Sequence, residues 1–185
     1  MSPERVLEIA ECIRKGDREP FSEIIDEYQG FVYSFSLRLV RGNRDSAYDL
    51  SSEVFLRVLT QLSKYKPEYP FKSWLGRVTY TTGLNYIRKK RETIQIEDLQ
   101  EDVPFQVPDD SPTPEEEVIQ KFTKEDVSKA LNNLKPDFRA IITLCDIEGV
   151  SYEEAASILG IPTGTVRSRL SRARSALKES LDGTL

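Results

Sequence analysis

Residues 148–178, EGVSYEEAASILGIPTGTVRSRLSRARSALK, read as two short helices joined by a tight turn. Ser151 stands before the first helix with Glu154 three residues on. That is a capping box: the hydroxyl accepts from a free amide and the carboxylate reaches back to the cap's own N–H. Ala155, Ala156, Ile158 and Leu159 supply the apolar side. Gly160 ends the helix, because glycine takes the left-handed cap conformation without steric strain. Pro162 and Thr163 open the second helix, in which Val166, Leu170, Ala173 and Leu177 recur at helical spacing as one stripe to be buried. At about 100° per residue, Ser168, Ser171 and Ser175 point the opposite way. Arg167, Arg174 and Lys178 flank them on one side, Arg169 and Arg172 on the other. From Thr163 to Lys178 there are five basic residues and no acidic one. Small hydroxyls at the centre permit close approach, and long arginines at the edges reach guanine edges and phosphates. This is the layout of a recognition helix in the DNA major groove. The alternative, an ordinary amphipathic surface helix, usually mixes acidic and basic residues.

A net charge of −5 over 185 residues is unexpected for a DNA-binding chain. Its distribution explains it. Residues 1–91 carry 16 basic and 12 acidic side chains, residues 92–117 none and ten, and residues 118–185 ten and nine. The acid is concentrated in a segment that also holds Pro104, Pro108, Pro112 and Pro114 and shows no helical period, as a linker would. As a coil it would span roughly 25–31 Å, and fully extended about 90 Å, enough to let the flanking parts touch DNA sites one to two turns apart. A solvated spacer without contacts is the plainer reading of such a segment.

Residues 1–91 read as helical nearly throughout. Ile9 and Ile13, then Phe21, Ile24, Ile25 and Tyr28, have helical spacing, with Gly16-Asp17 as a break. Phe31 to Val40 is a strongly apolar helix, Gly42-Asn43 a turn, and Ser46 to Leu62 a helix with Leu50, Val54, Phe55, Val58 and Leu62 on one face. No alternating strand pattern survives. The expected fold is all-α: two small helical domains, 1–91 and 118–185, joined by an acidic linker at 92–117, the C-terminal domain a helix-turn-helix.

The end of the first domain changes character. Between residues 64 and 91 stand Lys64, Lys66, Lys72, Arg77, Arg88, Lys89, Lys90 and Arg91 against Glu68 alone, interleaved with Tyr65, Tyr69, Phe71, Trp74, Tyr80 and Tyr86. Aromatic faces stack on unpaired bases while cations follow the backbone, so the mixture suits single-stranded or melted DNA. The competing reading is a core helix with a basic tail, in which Phe71 and Trp74 are packing residues.

Cys12 and Cys145 form neither a metal spacing nor a disulfide framework. No signal peptide opens the chain and no apolar run approaches about 18 residues, so a cytoplasmic protein without membrane insertion is expected. There is no histidine, no phosphate-cradling GxxxxGK[ST] and no pair of carboxylates in an evident pocket. An enzyme is not expected, nor a catalytic residue, metal or cofactor.

These features together resemble bacterial RNA polymerase sigma factors of the extracytoplasmic function (ECF) group of the sigma-70 family. The likeness runs through LKPDFRAIITLCDIEGVSYEEAASILGIPTGTVRSRLSRARSALK at 134–178, YDLSSEVFLRVL at 48–59 and FKSWLGRVTYTTGLNYIRKKR at 71–91. It implies a first domain like sigma region 2 and a last like region 4. By this resemblance the helix around Asp49, Leu50, Ser52, Glu53 and Phe55 docks on core RNA polymerase. The segment from Tyr65 to Arg91 recognises and melts the −10 promoter element, the contacts falling to Lys72, Trp74, Arg77, Tyr80, Thr81, Asn85, Arg88 and Lys89. The last helix reads the −35 element through Arg167, Ser168, Ser171 and Arg172, with Arg174 and Lys178 on the backbone. The linker threads into the polymerase channel that later carries RNA. An anti-sigma factor is implied as a further partner.

The chain departs from the family pattern at four places. Tyr48 and Ser52 stand where the family usually has Glu and Gln, which shifts docking toward Asp49 and Glu53. Thr81 and Asn85 stand where it has Asn and Asp, which alters the −10 preference. Two other functions compete: a stand-alone helix-turn-helix regulator, and a helical protein that mimics a sigma factor without touching promoters. The first leaves the 64–91 patch and the linker unexplained, and the second predicts the loss of the basic residues that are present. The arrangement of the two domains is open at this point. A packed pair would hide the DNA-contacting surfaces.

Overall fold

The computed structural model describes residues 1–97 and 122–182, and every described element is helical. The expected linker lies outside the described residues from 98 onward. Residues 92–97 continue the helix before it.

Several helices begin where the sequence supplies a partner for their free amides. In α1 (Pro3–Arg14) Ser2 Oγ accepts from Arg5 N at 3.3 Å. Helix α2 (Phe21–Leu39) absorbs the expected apolar helix at 31–40 and starts ten residues earlier, passing through Gly30 unbroken. Helix α3 (Arg44–Gln61) starts at Arg44 because Asn43 Oδ1 accepts from Ser46 N at 2.8 Å, satisfying an orphan donor. A short 3₁₀ turn (Leu62–Lys64) leads toward α4 (Phe71–Glu97), the longest helix. In the C-terminal half α5 (Lys124–Asn133) opens with the Thr123–Asp126 capping box, whose hydrogen bonds hold the Asp126 carboxyl below its ordinary range. Helix α6 (Pro136–Ile142) runs into a π-helical turn (Thr143–Ile147), followed by α7 (Tyr152–Leu159) and α8 (Thr163–Asp182).

Helices α2, α3 and α4 form a three-helix packet around Val32, Phe35, Leu39, Leu50, Val54, Val58 and Leu75, with α1 adding Val6 and Ile9. An aromatic group closes one end. Phe71 meets Tyr28 and Tyr65 edge-on, each with centroids 5.2 Å apart, and stacks on Trp74 at 5.6 Å. Trp74 is thus partly a packing residue, fixed by its neighbours. In the C-terminal half α6, α7 and α8 enclose Ile141, Leu144, Ala155, Leu159, Val166, Leu170 and Ala173.

The halves pack together, α7 along α4 and α6 against α2, and their buried residues form one continuous cluster. Arg139 pins the joint. It is 2% exposed, donates from Nη1 to Asn132 O and Leu134 O, and donates from Nη2 to Leu39 O of the other half at 3.0 Å. These carbonyls lie at the C-terminal ends of α5 and α2, where unpaired acceptors and the helix dipole favour a cation.

Candidate nucleic-acid interface

The helix-turn-helix forms as its sequence dictates. Glu154 N donates to Ser151 Oγ and Ser151 N to Glu154 Oε2, both at 3.2 Å, so the box fixes where α7 begins. Gly160 ends it at φ 69°, ψ 35°, left-handed backbone that a side chain would strain. Val166, Leu170 and Ala173 of α8 are buried against the rest of the half, and Leu177 is half-buried. This clamps the stripe inward and turns the opposite face out. Arg167, Ser168, Ser171, Arg172, Arg174 and Lys178 are all exposed. The six residues expected to read duplex DNA therefore lie on one open surface.

Two arginines of α8 have protein partners. Arg174 grips Asp146 of the π-helical turn with two hydrogen bonds. Arg169, half-buried, donates from Nη1 to Asp137 Oδ2 at 3.4 Å. Beside them the Cys145 thiol is pushed up to about 11, first by burial and then by Asp146, against the opposing pull of Arg174.

The basic-aromatic segment divides differently. Thr81, Arg77, Arg88 and Lys89 are exposed, while Lys72, Trp74 and Asn85 are half-buried. Asn85 Oδ1 accepts from Arg88 Nη2 at 3.2 Å, and Thr81 Oγ1 donates to Arg77 O within its own helix at 2.9 Å. Tyr80 is only 6% exposed, and its hydroxyl donates to Asp137 Oδ1 at 3.0 Å. Burial first, and Asp137 next, hold that phenol well above the usual tyrosine range, so it remains a donor. Arg77 Nη1 donates to Ser157 O at 3.0 Å.

On α3 the residues expected to meet polymerase share the outward side. Asp49 and Ser52 are exposed, Phe55 is half-buried, and Glu53 accepts from Arg57 at 2.7 and 3.2 Å. Tyr48 and Leu56, each 64% exposed, stand on the same helix, and Tyr48 leans on Tyr33 with ring centroids 4.9 Å apart. Sequence reasoning passed over Leu56. Its signal was available: Leu56 is a large apolar residue off the stripe of Leu50, Val54 and Val58. Asp137 and Asp146 were missed too, and no periodicity points to them.

Among the described residues no three His, Cys, Asp or Glu side chains are grouped to hold a metal ion, and no helix is long and apolar enough to cross a membrane.

The chain has relatives among known proteins. Residues 24–93 match the family described as Sigma-70 region 2, and residues 124–177 match Sigma-70, region 4. It is 40% identical over 161 residues to the ECF RNA polymerase sigma factor SigE of Mycolicibacterium smegmatis, covering 87% of this chain and 61% of that protein. The ECF RNA polymerase sigma-E factor of Haemophilus influenzae is 32% identical over 179 residues, 94% of this chain and 93% of its own length. A solved structure of the sigma factor RpoE of Bartonella quintana, in complex with the anti-sigma factor NepR, aligns with a TM-score of 0.68. It is 27% identical over 88% of this chain and 96% of that one.

Proposed function

Because the chain belongs to the sigma-70 family, in its ECF group, we propose that it binds core RNA polymerase and directs promoter-specific initiation of transcription. The observation that carries this reading is the pairing of two surfaces in one chain. An open basic face on α8 suits duplex DNA, and a basic-aromatic helix, α4, suits an unpaired strand.

The roles follow from the surfaces. Arg167, Ser168, Ser171 and Arg172 read base edges of the −35 element, with Lys178 on the phosphates. Arg174, held by Asp146, fixes the pitch of α8 and meets the backbone from that position. Along α4, Lys72, Arg77, Arg88 and Lys89 follow the melted −10 strand, while Trp74, Tyr80, Thr81 and Asn85 supply stacking and polar contacts. The outward side of α3, with Asp49, Ser52, Glu53 and Phe55 joined by Tyr48 and Leu56, docks on polymerase. The domains are 1–91 and 118–185, with the acidic linker lying along the polymerase channel. An anti-sigma factor is the expected antagonist, as for the Bartonella quintana relative. The chain breaks no bond itself, needs no cofactor and acts in the cytoplasm, where polymerase is.

Docking on polymerase holds the two DNA-contacting faces at fixed separation, so the second contact forms at high effective concentration. Run-off transcription from a genomic promoter library, with and without the chain added to core polymerase, tests this. Transcripts that depend on the chain and share a two-part promoter are expected. Their absence, together with tight duplex binding by the chain alone, assigns it instead to the stand-alone regulators.

A further inference from the structure

The major groove that receives a recognition helix has a phosphate backbone along each side, so cations on both flanks of the inserted helix fix its register. On one flank of α8 stand Arg174 and Lys178, both exposed. The other flank is occupied differently. Arg169 is half-buried and donates to Asp137 Oδ2 at 3.4 Å, so its charge is turned toward a carboxylate of α6. Arg172 is exposed and lies on the face proposed to read bases. Helix α8 itself offers no other cation on that side.

The neighbouring helix supplies one. A cleft of about 600 Å³ lies between the start of α6 and α8, lined by Lys135 and Phe138 from the first and by Thr165, Ser168, Arg169 and Arg172 from the second. Ser168 and Arg172 belong to the open face of α8, so the cleft is continuous with the surface that would meet a duplex. Lys135 is exposed at the cap position of α6, where its side chain makes no capping hydrogen bond. The carboxylate in the cleft, Asp137, is already bound by Arg169 and by the Tyr80 hydroxyl, the latter at 3.0 Å. With Lys135, Arg169 and Arg172 against that single acid, the cleft is positive.

We propose that this cleft is a phosphodiester site, in which Lys135, together with the Thr165 hydroxyl, binds the backbone of the second strand of the −35 duplex and so fixes the register of α8 in the groove. This rests on the −35 reading of α8 given above. Lys135 touches phosphate alone, so its contribution is the same for every sequence, whereas Arg172 discriminates among them.

Duplex binding by the full chain across a salt series tests it. The probes are a short duplex pool of random sequence and the duplex that the unsubstituted chain enriches from that pool. Loss of one phosphate contact should make the slope of log K against log salt shallower by about 0.9, which at 0.1 M salt is a loss of up to about eight-fold. Lys135→Gln should show this loss on both probes alike. Lys135→Arg should keep the parent's slope, and Lys135→Glu should bind more weakly than Lys135→Gln. An unchanged slope in Lys135→Gln overturns the site, and so does a Lys135→Glu variant that binds as well as Lys135→Gln. A loss confined to the enriched duplex would make Lys135 a base contact and overturn the phosphodiester assignment. Absence of salt-dependent duplex binding by the unsubstituted chain at low ionic strength overturns it as well.

Arg172→Ala scores the −35 reading separately, because it should reduce the preference for the enriched duplex over the random pool. If that preference survives Arg172→Ala while Lys135→Gln still flattens the salt slope, the base-reading assignment fails and the phosphodiester site stands.

Discussion

Arg174 Nε and Nη2 donate to the two carboxylate oxygens of Asp146 at 3.1 and 2.7 Å, tying the exposed side of α8 to the turn after α6. The sequence placed Arg174 among free DNA contacts, and the structure gives it a second task. The pair is partly exposed, with 48% of the Arg174 side chain and 31% of Asp146 open to solvent, so screening limits its worth. A double-mutant cycle of Arg174→Ala and Asp146→Ala in urea unfolding should give a coupling of about 0.5–1 kcal/mol. A coupling near zero would remove the strut.

Arg172 contrasts with it, being exposed on the face of α8 proposed to read the −35 element. Arg172→Ala should weaken binding to −35 duplex by about 1–3 kcal/mol, more than Arg174→Ala does. In transcription it should flatten the response to −35 substitutions while the response to −10 substitutions persists. Equal losses at both elements would contradict the assignment.

Cys145 reports on the same corner through pH. Burial, then Asp146, raise its thiol to about 11, so the reactive thiolate is scarce at neutral pH and increases as pH climbs toward that value. At pH 8, with Cys12→Ser, its reaction with an aromatic disulfide reagent should run roughly ten- to twenty-fold slower than that of an unperturbed thiol. The smaller thiolate fraction outweighs the greater nucleophilicity of a more basic sulfur. Asp146→Asn removes a raising charge and leaves Arg174 lowering, so the midpoint should shift down and the reaction accelerate. A midpoint that stays put would separate the thiol from the pair.

Arg139→Met tests the pin between the halves. The substitution leaves the carbonyls of Asn132, Leu134 and Leu39 without this donor, at about 2–4 kcal/mol for lost charge-assisted bonds at a buried site. A urea midpoint within error of the parent would show that water replaces the guanidinium fully.

The helix-turn-helix was legible because each of its signals is local. The Ser151–Glu154 box, the left-handed Gly160 and the stripe of Val166, Leu170 and Ala173 all act within a turn or two of backbone. The buried face of α3 was legible in Leu50, Val54 and Val58 for the same reason. Asp137 was not. It accepts from Tyr80, 57 positions away, and from Arg169, 32 positions away, and periodicity tells which face a residue occupies but not what lies opposite. Tyr80 illustrates the limit: its ring and hydroxyl suited an unpaired base, and in the folded chain they are spent on a carboxylate. Arg139 was not singled out, and no local pattern marks a cation that sits inside.

The seam between the halves also decides how easily they part. Besides its apolar contacts it is held by the Arg139 bond to Leu39 O, by Ser34 on Glu148, by Arg38 on Ser128 and by Tyr80 on Asp137. Solvent can take over the part-buried links of Ser34, Arg38 and Tyr80, whereas the buried Arg139 bond is released only when the halves part. Ionic strength acts on one exposed end of the joint: salt screens the Lys72–Glu148 pair and leaves the buried contacts unaffected.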